Sequence, residues 1–190
     1  MTKNKLLNIA IIACKSLRIL WVFIFAVSTL FFIHFQINKD FYKDMEVKFN
    51  DPSGFSIGKT ETLLTQKPKE GKETLSLKQI TTTSLYINYS KFTAILLFYF
   101  LSLKEFQKII ESVKHLKTFQ QDNVNSFRRI GKYAFIIFIV SSFTFMTYLD
   151  ATSSGFQISF TPLILMLLAF IMAEIFKEGN NLKQENDLTI

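Results

Sequence analysis

The sequence predicts an all-α integral membrane protein, a bundle of four transmembrane helices with a small extracytoplasmic insertion, carrying strand-like segments, between helices one and two. Two observations predict this. Four stretches are too apolar for water, residues 17–35, 89–103, 133–149 and 156–176, and three approach the ~20 residues a helix needs to cross a ~30 Å hydrocarbon core. The composition agrees: of 190 residues 49% are hydrophobic and 22 are Phe, with only 6 Gly and 3 Pro, which suits one small helical domain in contact with a lipid bilayer.

The first span follows Lys3, Lys5, Lys15 and Arg18. Asn8 interrupts the run of Leu6, Leu7, Ile9, Ile11 and Ile12, and no small-residue cleavage motif follows, so the span is read as retained rather than as an export signal. Residues 6–14 suit an amphipathic lead-in helix at the interface.

Residues 36–88 form the long first connection. Glu46-Val47-Lys48-Phe49 and Thr74-Leu75-Ser76-Leu77-Lys78 alternate with period two, Asp51-Pro52-Ser53-Gly54 is a turn signal, and residues 66–73 read as a solvated tip. A packed cap is the favoured reading of this segment over a ligand-sensing module.

The second span is the weakest, with Lys91 at its outer edge and Tyr86 and Tyr89 suited to the interface. Beyond it Phe106, Ile109, Ile110, Val113 and Leu116 recur at helical spacing, so the helix is expected to continue as a stalk over 104–132, turning near Thr118 to Asp122. The third span carries Ser141, Thr144 and Tyr148 at i, i+3 and i+7; packing is favoured over a substrate path. Residues 150–155 read as a turn, and Pro162 as compatible with a helix start.

Charge sets the orientation. Lys104, Lys108, Lys114, Lys117, Arg128, Arg129 and Lys132 crowd the second connection, whereas the third has no Lys or Arg. Basic residues of short loops stay in the cytoplasm, which places both termini and the stalk inside. The eight lysines of residues 36–88 are offset by seven acids, and long connections translocate with little regard to charge. The formal charge of +7 is thereby accounted for by topology, and direct nucleic-acid binding is not expected.

Chemistry is sparse. Cys14 is the single cysteine, and His34 and His115 lack ligand spacing, so no metal site or cofactor is expected; His34 reads as an interfacial side chain rather than a pH sensor. Catalytic motifs are missing and no charged residue lies well inside a span, so neither an enzyme nor an ion pump is expected. Beyond the fourth span, Glu174, Glu178 and Glu185 fall at i, i+4 and i+11, on one face of a continued helix. Arg128 and Lys132, also four apart, are the nearest basic surface on that side of the membrane. An intramolecular clamp is the favoured reading; docking of a partner is the other.

Two segments carry a resemblance: Phe119-Gln120-Gln121-Asp122-Asn123-Val124-Asn125-Ser126-Phe127-Arg128-Arg129-Ile130-Gly131, and the ending from Ala173-Glu174-Ile175-Phe176-Lys177-Glu178-Gly179 through Glu185 to Asp187-Leu188-Thr189-Ile190. Together with the span layout they resemble small four-span bacterial membrane proteins known as a domain of unknown function, the 2975 type. The resemblance implies a multi-pass protein of the bacterial cytoplasmic membrane, with no assigned activity and often encoded beside a small helix-turn-helix regulator. The leading functional expectation is a regulatory or interaction protein whose basic stalk and acidic tail (177–190) bind such a cytoplasmic partner, through Asn123, Arg128, Arg129, Lys132, Glu174, Glu178, Glu185 and Asp187. A small transporter or channel, of open oligomeric state, is the alternative.

Overall fold

The computed structural model describes residues 2–43, 45–48, 56–64, 74–149 and 151–188. It is mostly helical. The four α-helices among these residues are α1 (Thr2–Ile37), α2 (Thr82–Lys114), α3 (Gln121–Ser142) and α4 (Phe160–Leu188). Two of them are long and apolar enough to cross a membrane: residues Lys5–Ile37 of α1, at a mean hydropathy of 2.1, and α4, at 1.9. The first continues without a break through residues 6–14, so these form part of one helix rather than a separate lead-in.

Among the described residues five strands accompany the helices: β1 (Glu46–Lys48), β2 (Ser56–Leu64), β3 (Thr74–Ser76), β4 (Phe143–Thr147) and β5 (Ala151–Ser159). β1 pairs antiparallel with β3, joining the two alternating segments around 46–49 and 74–78. The other sheet has the antiparallel order β2-β5-β4. The turn at 51–54, the tip at 66–73 and Asp150 lie outside the described residues.

The second sheet corrects the expected helical limits. Helix α3 stops at Ser142, seven residues short of the expected 149, and 156–159 is strand, with α4 beginning at Phe160. Phe143-Thr144-Phe145-Met146-Thr147 is apolar but short, and a run of that length fits strand or helix alike. Its aromatic and β-branched residues favour a strand once a partner is available, and β5 supplies one, pairing Phe143 with Phe156 and Thr147 with Thr152. The expected Ser141, Thr144, Tyr148 stripe is therefore broken. Ser141 Oγ donates to Phe138 O within α3, and Thr144 Oγ1 donates to Gly155 O across the sheet.

The chain divides into two compact units. One, residues 24–95 and 138–160, holds the sheets. Within it the edge of β4 not paired to β5 is covered by one face of α2. Asn88 Nδ2 donates to Phe145 O at 2.9 Å, Lys91 Nζ donates to Phe143 O, and Thr147 N donates to Ser84 Oγ at 3.0 Å. Residues 84, 88 and 91 stand at i, i+4 and i+7, so a helix face satisfies a strand edge that would otherwise be open to pairing. Thr81 caps α2, its Oγ1 accepting from Ser84 N at 3.4 Å. His34 Nδ1 meets the Tyr42 hydroxyl at 2.7 Å, beside the Phe41 ring.

The other unit, residues 1–23, 96–137 and 161–190, holds the stalk hairpin and the α4 ending. Its core joins Ile109 of α2, Val124, Phe127 and Ile130 of α3, and Ala169, Ala173 and Phe176 of α4. Gly131 lets α3 approach α4, since a Cβ there would lie 2.9 Å from the Phe170 ring. From α1, Trp21 stacks on Tyr99 at 5.5 Å, and Arg18 reaches Gln107 at 3.0 Å.

Candidate functional site: a charged hairpin and its helical tail

The stalk closes on itself at residues 115–120. Leu116 adopts φ 59°, while Leu116 N donates to Val113 O and Lys117 N to Ser112 O. These two bonds form a Schellman ending of α2 with leucine where glycine is usual. Leu116 was expected on the apolar stripe of the stalk, but it is 84% exposed, because the left-handed residue points away from the helix it ends. Leu116→Gly should therefore raise stability by about 0.5–1 kcal/mol, the relief of a left-handed leucine less the glycine entropy. Leu116→Val should lower it, and thermal unfolding in detergent reads both.

Asn123 ties this turn down. It is buried, and its side-chain Nδ2 is shared among Ser112 Oγ at 2.9 Å, Lys117 O at 2.9 Å and Thr118 O at 2.6 Å. An amide so occupied holds the turn carbonyls that no helix partner satisfies. The structure thus places Asn123, a candidate partner contact, inside the hairpin.

The centre of the site is Glu105, which the sequence reading passed over. It is buried on the α2 face against α3, where Ser126 Oγ donates to Oε2 at 2.8 Å and Lys108 Nζ to Oε1 at 2.7 Å. Arg129 approaches the same Oε1 at 3.5 Å. Burial, the largest single influence, raises the Glu105 carboxyl. The hydrogen bonds from Lys108 and Ser126, with the charges of Lys108 and Arg129, outweigh it and hold the group below the ordinary glutamate range. A signal existed in the sequence: Glu105 falls four residues before Ile109, on the apolar stripe of the stalk.

On α4, Glu174 pairs with Arg128 at 3.0 Å and with Lys177 at 3.4 Å. Of the expected acidic stripe it is Glu174, within the expected fourth span (156–176) rather than the tail (177–190), that meets Arg128. Both side chains are open to solvent, where screening and side-chain entropy leave such a pair little weight in stability. Apolar contacts hold the same junction: Phe176 meets Phe127 at 4.8 Å and Phe119 at 5.6 Å, and Gly179 leaves room for the Phe119 ring. Helix α4 then runs on, with every residue from Asn181 to Leu188 exposed. Glu178, Glu185 and Asp187 lie on this extension, and Lys132 is exposed on α3. Thr189 and Ile190 lie outside the described residues.

The structure thus brings Arg128 and Glu174 together and joins Arg129 to Glu105, not to the tail. Among the described residues no group of three or more His, Cys, Asp and Glu side chains could hold a metal ion. The family model described as Protein of unknown function (DUF2975) matches residues 71–190, more than half of the chain. No curated protein and no solved structure matches.

Proposed function

The chain belongs to this DUF2975 family, to which no function is assigned, and we propose that it is a multi-pass membrane protein whose α4 extension docks a cytoplasmic protein. The observation that carries the reading is the unbroken course of α4. It runs from apolar residues beginning at Phe160 to Leu188, and its end from Asn181 to Leu188, about 12 Å of helix, carries exposed side chains throughout. A solvated helix rigidly joined to a membrane helix is suited to recruitment, since little ordering entropy is lost on binding.

The proposed topology has four crossings, with both termini and the stalk in the cytoplasm and residues 36–88 outside. It rests on the basic residues of the stalk and on the length of α1 and α4. Helix α3 is the shortest crossing, because its apolar part, residues 133–142, covers only about 15 Å. The partner class to test first is a small helix-turn-helix regulator. The transport alternative has lost the hydroxyl stripe that motivated it.

Charge reversal separates clamp from dock. Glu174→Lys removes the solvent-exposed Arg128 pair and should shift thermal unfolding little. Glu178→Lys combined with Asp187→Lys should leave thermal unfolding unchanged, yet abolish co-purification of the regulator with the full chain from native membranes. Retention of the regulator by that double variant would refute the docking role.

A further inference from the structure

We infer that the seam between α2 and α3 is a binding site for the headgroup of an anionic phospholipid, held by Lys104 and Lys132 above the Lys108 and Arg129 pair. The inference rests on the proposed topology, which puts this seam at the cytoplasmic leaflet.

Lys108 and Arg129 approach the same oxygen of Glu105, at 2.7 and 3.5 Å, so they lie on the same side of the seam. Lys104 precedes Lys108 by four residues and Lys132 follows Arg129 by three, which places each on the same face of its own helix, one turn further along. The helices run antiparallel here, with Phe98 against Tyr133 at 5.8 Å and Glu105 against Ser126. That further turn is therefore toward the apolar spans on both helices. Lys104 is the first residue after the apolar run ending at Leu103, and Lys132 the last before the one beginning at Tyr133.

The patch thus gathers four cations around one carboxylate, already shared by two of them. Lys104 and Lys132 are exposed and have no ion-pair partner among the described residues. Two unneutralised ammonium groups at the polar boundary of a span, beside an apolar surface for acyl chains, match a lipid phosphate better than a soluble anion. Each lysine near an anionic surface strengthens binding about fivefold, so removing two should cost about 30-fold in apparent affinity.

The test uses the full chain in neutral detergent, titrated with short-chain phosphatidylglycerol, phosphatidylcholine or inorganic phosphate, and follows thermal unfolding and the lipid retained in native mass spectrometry. Phosphatidylglycerol should stabilise the native chain and remain bound. The Lys104→Gln, Lys132→Gln double variant should unfold at the native temperature without lipid and bind about 30-fold more weakly. A Lys15→Gln, Lys183→Gln variant, which removes the same charge from exposed sites elsewhere, should bind as the native chain does. Equal stabilisation by phosphatidylcholine, saturation by phosphate alone, or equal losses in the two variants would each overturn the lipid site. Topology is read separately, by labelling Lys117→Cys in a Cys14→Ser background: reaction from outside would overturn the orientation while leaving the detergent result intact.

Discussion

Phe176→Ala should lower the stability of the chain by about 3–4 kcal/mol and expose the end of α4 to protease. The side chain is 9% exposed and belongs to the only core that joins α2, α3 and α4 among the described residues. Truncating it removes its own burial and leaves a cavity that the neighbouring rings fill only in part. Phe127 loses an edge-to-face partner at 4.8 Å, and Phe119 a tilted ring contact at 5.6 Å. Gly179→Ala tests the same junction more gently. A Cβ there would stand 2.3 Å from the Phe119 ring, which must swing out into solvent. Because Phe119 is already 41% exposed, the loss should be near the ~1 kcal/mol of one aromatic contact. Protease resistance of residues 177–188 should fall in both variants, and further in Phe176→Ala. Unchanged resistance in Phe176→Ala would mean that the Arg128 pair, not the aromatic junction, fixes the α4 extension.

The parts legible in the sequence are those set by local composition. Apolar length alone identifies α1 and α4 as helices able to cross a membrane, and the turn expected near Thr118 to Asp122 meets the start of α3 at Gln121. What stayed hidden depends on partners distant in sequence. Residues 143–147 take the strand form because β5, read as a turn and a helix start, pairs with them and with β2 nearly a hundred residues earlier. No period in five residues could have announced that. Asn123 was visible as part of a motif, but its task, holding the turn from inside, needed the three oxygens that the hairpin brings to it. Glu105 stood in a helical run with Lys108 three residues on, the pattern of a solvated face. Its place four residues before Ile109 pointed the other way, and the contact with Ser126, 21 residues away, shows it to be buried.

Glu105→Gln should cost about 1.5–2 kcal/mol at neutral pH, and nothing at low pH. The amide keeps the shape of the carboxylate and can still accept from Ser126, so the loss is that of the charge-assisted bond from Lys108 and the ion pair with Arg129. Those two cations are half exposed and recover part of their hydration, which keeps the cost below the 3–5 kcal/mol of a fully buried broken pair. Glu105→Leu should cost more, by about 1–3 kcal/mol, because the Ser126 hydroxyl is then buried without its acceptor. The sign with pH follows from linkage. The folded protein holds this carboxyl below its ordinary range, so the unfolded chain takes up the proton first. The stabilisation is therefore complete above the ordinary glutamate value and fades as pH falls through the lowered one. Unfolding of the native chain in detergent should weaken across that window, while Glu105→Gln lacks this component, and the two curves should converge at its acid end. A constant gap between them would locate the effect of the substitution in packing and remove the buried ion cluster from the account of what holds α2 to α3.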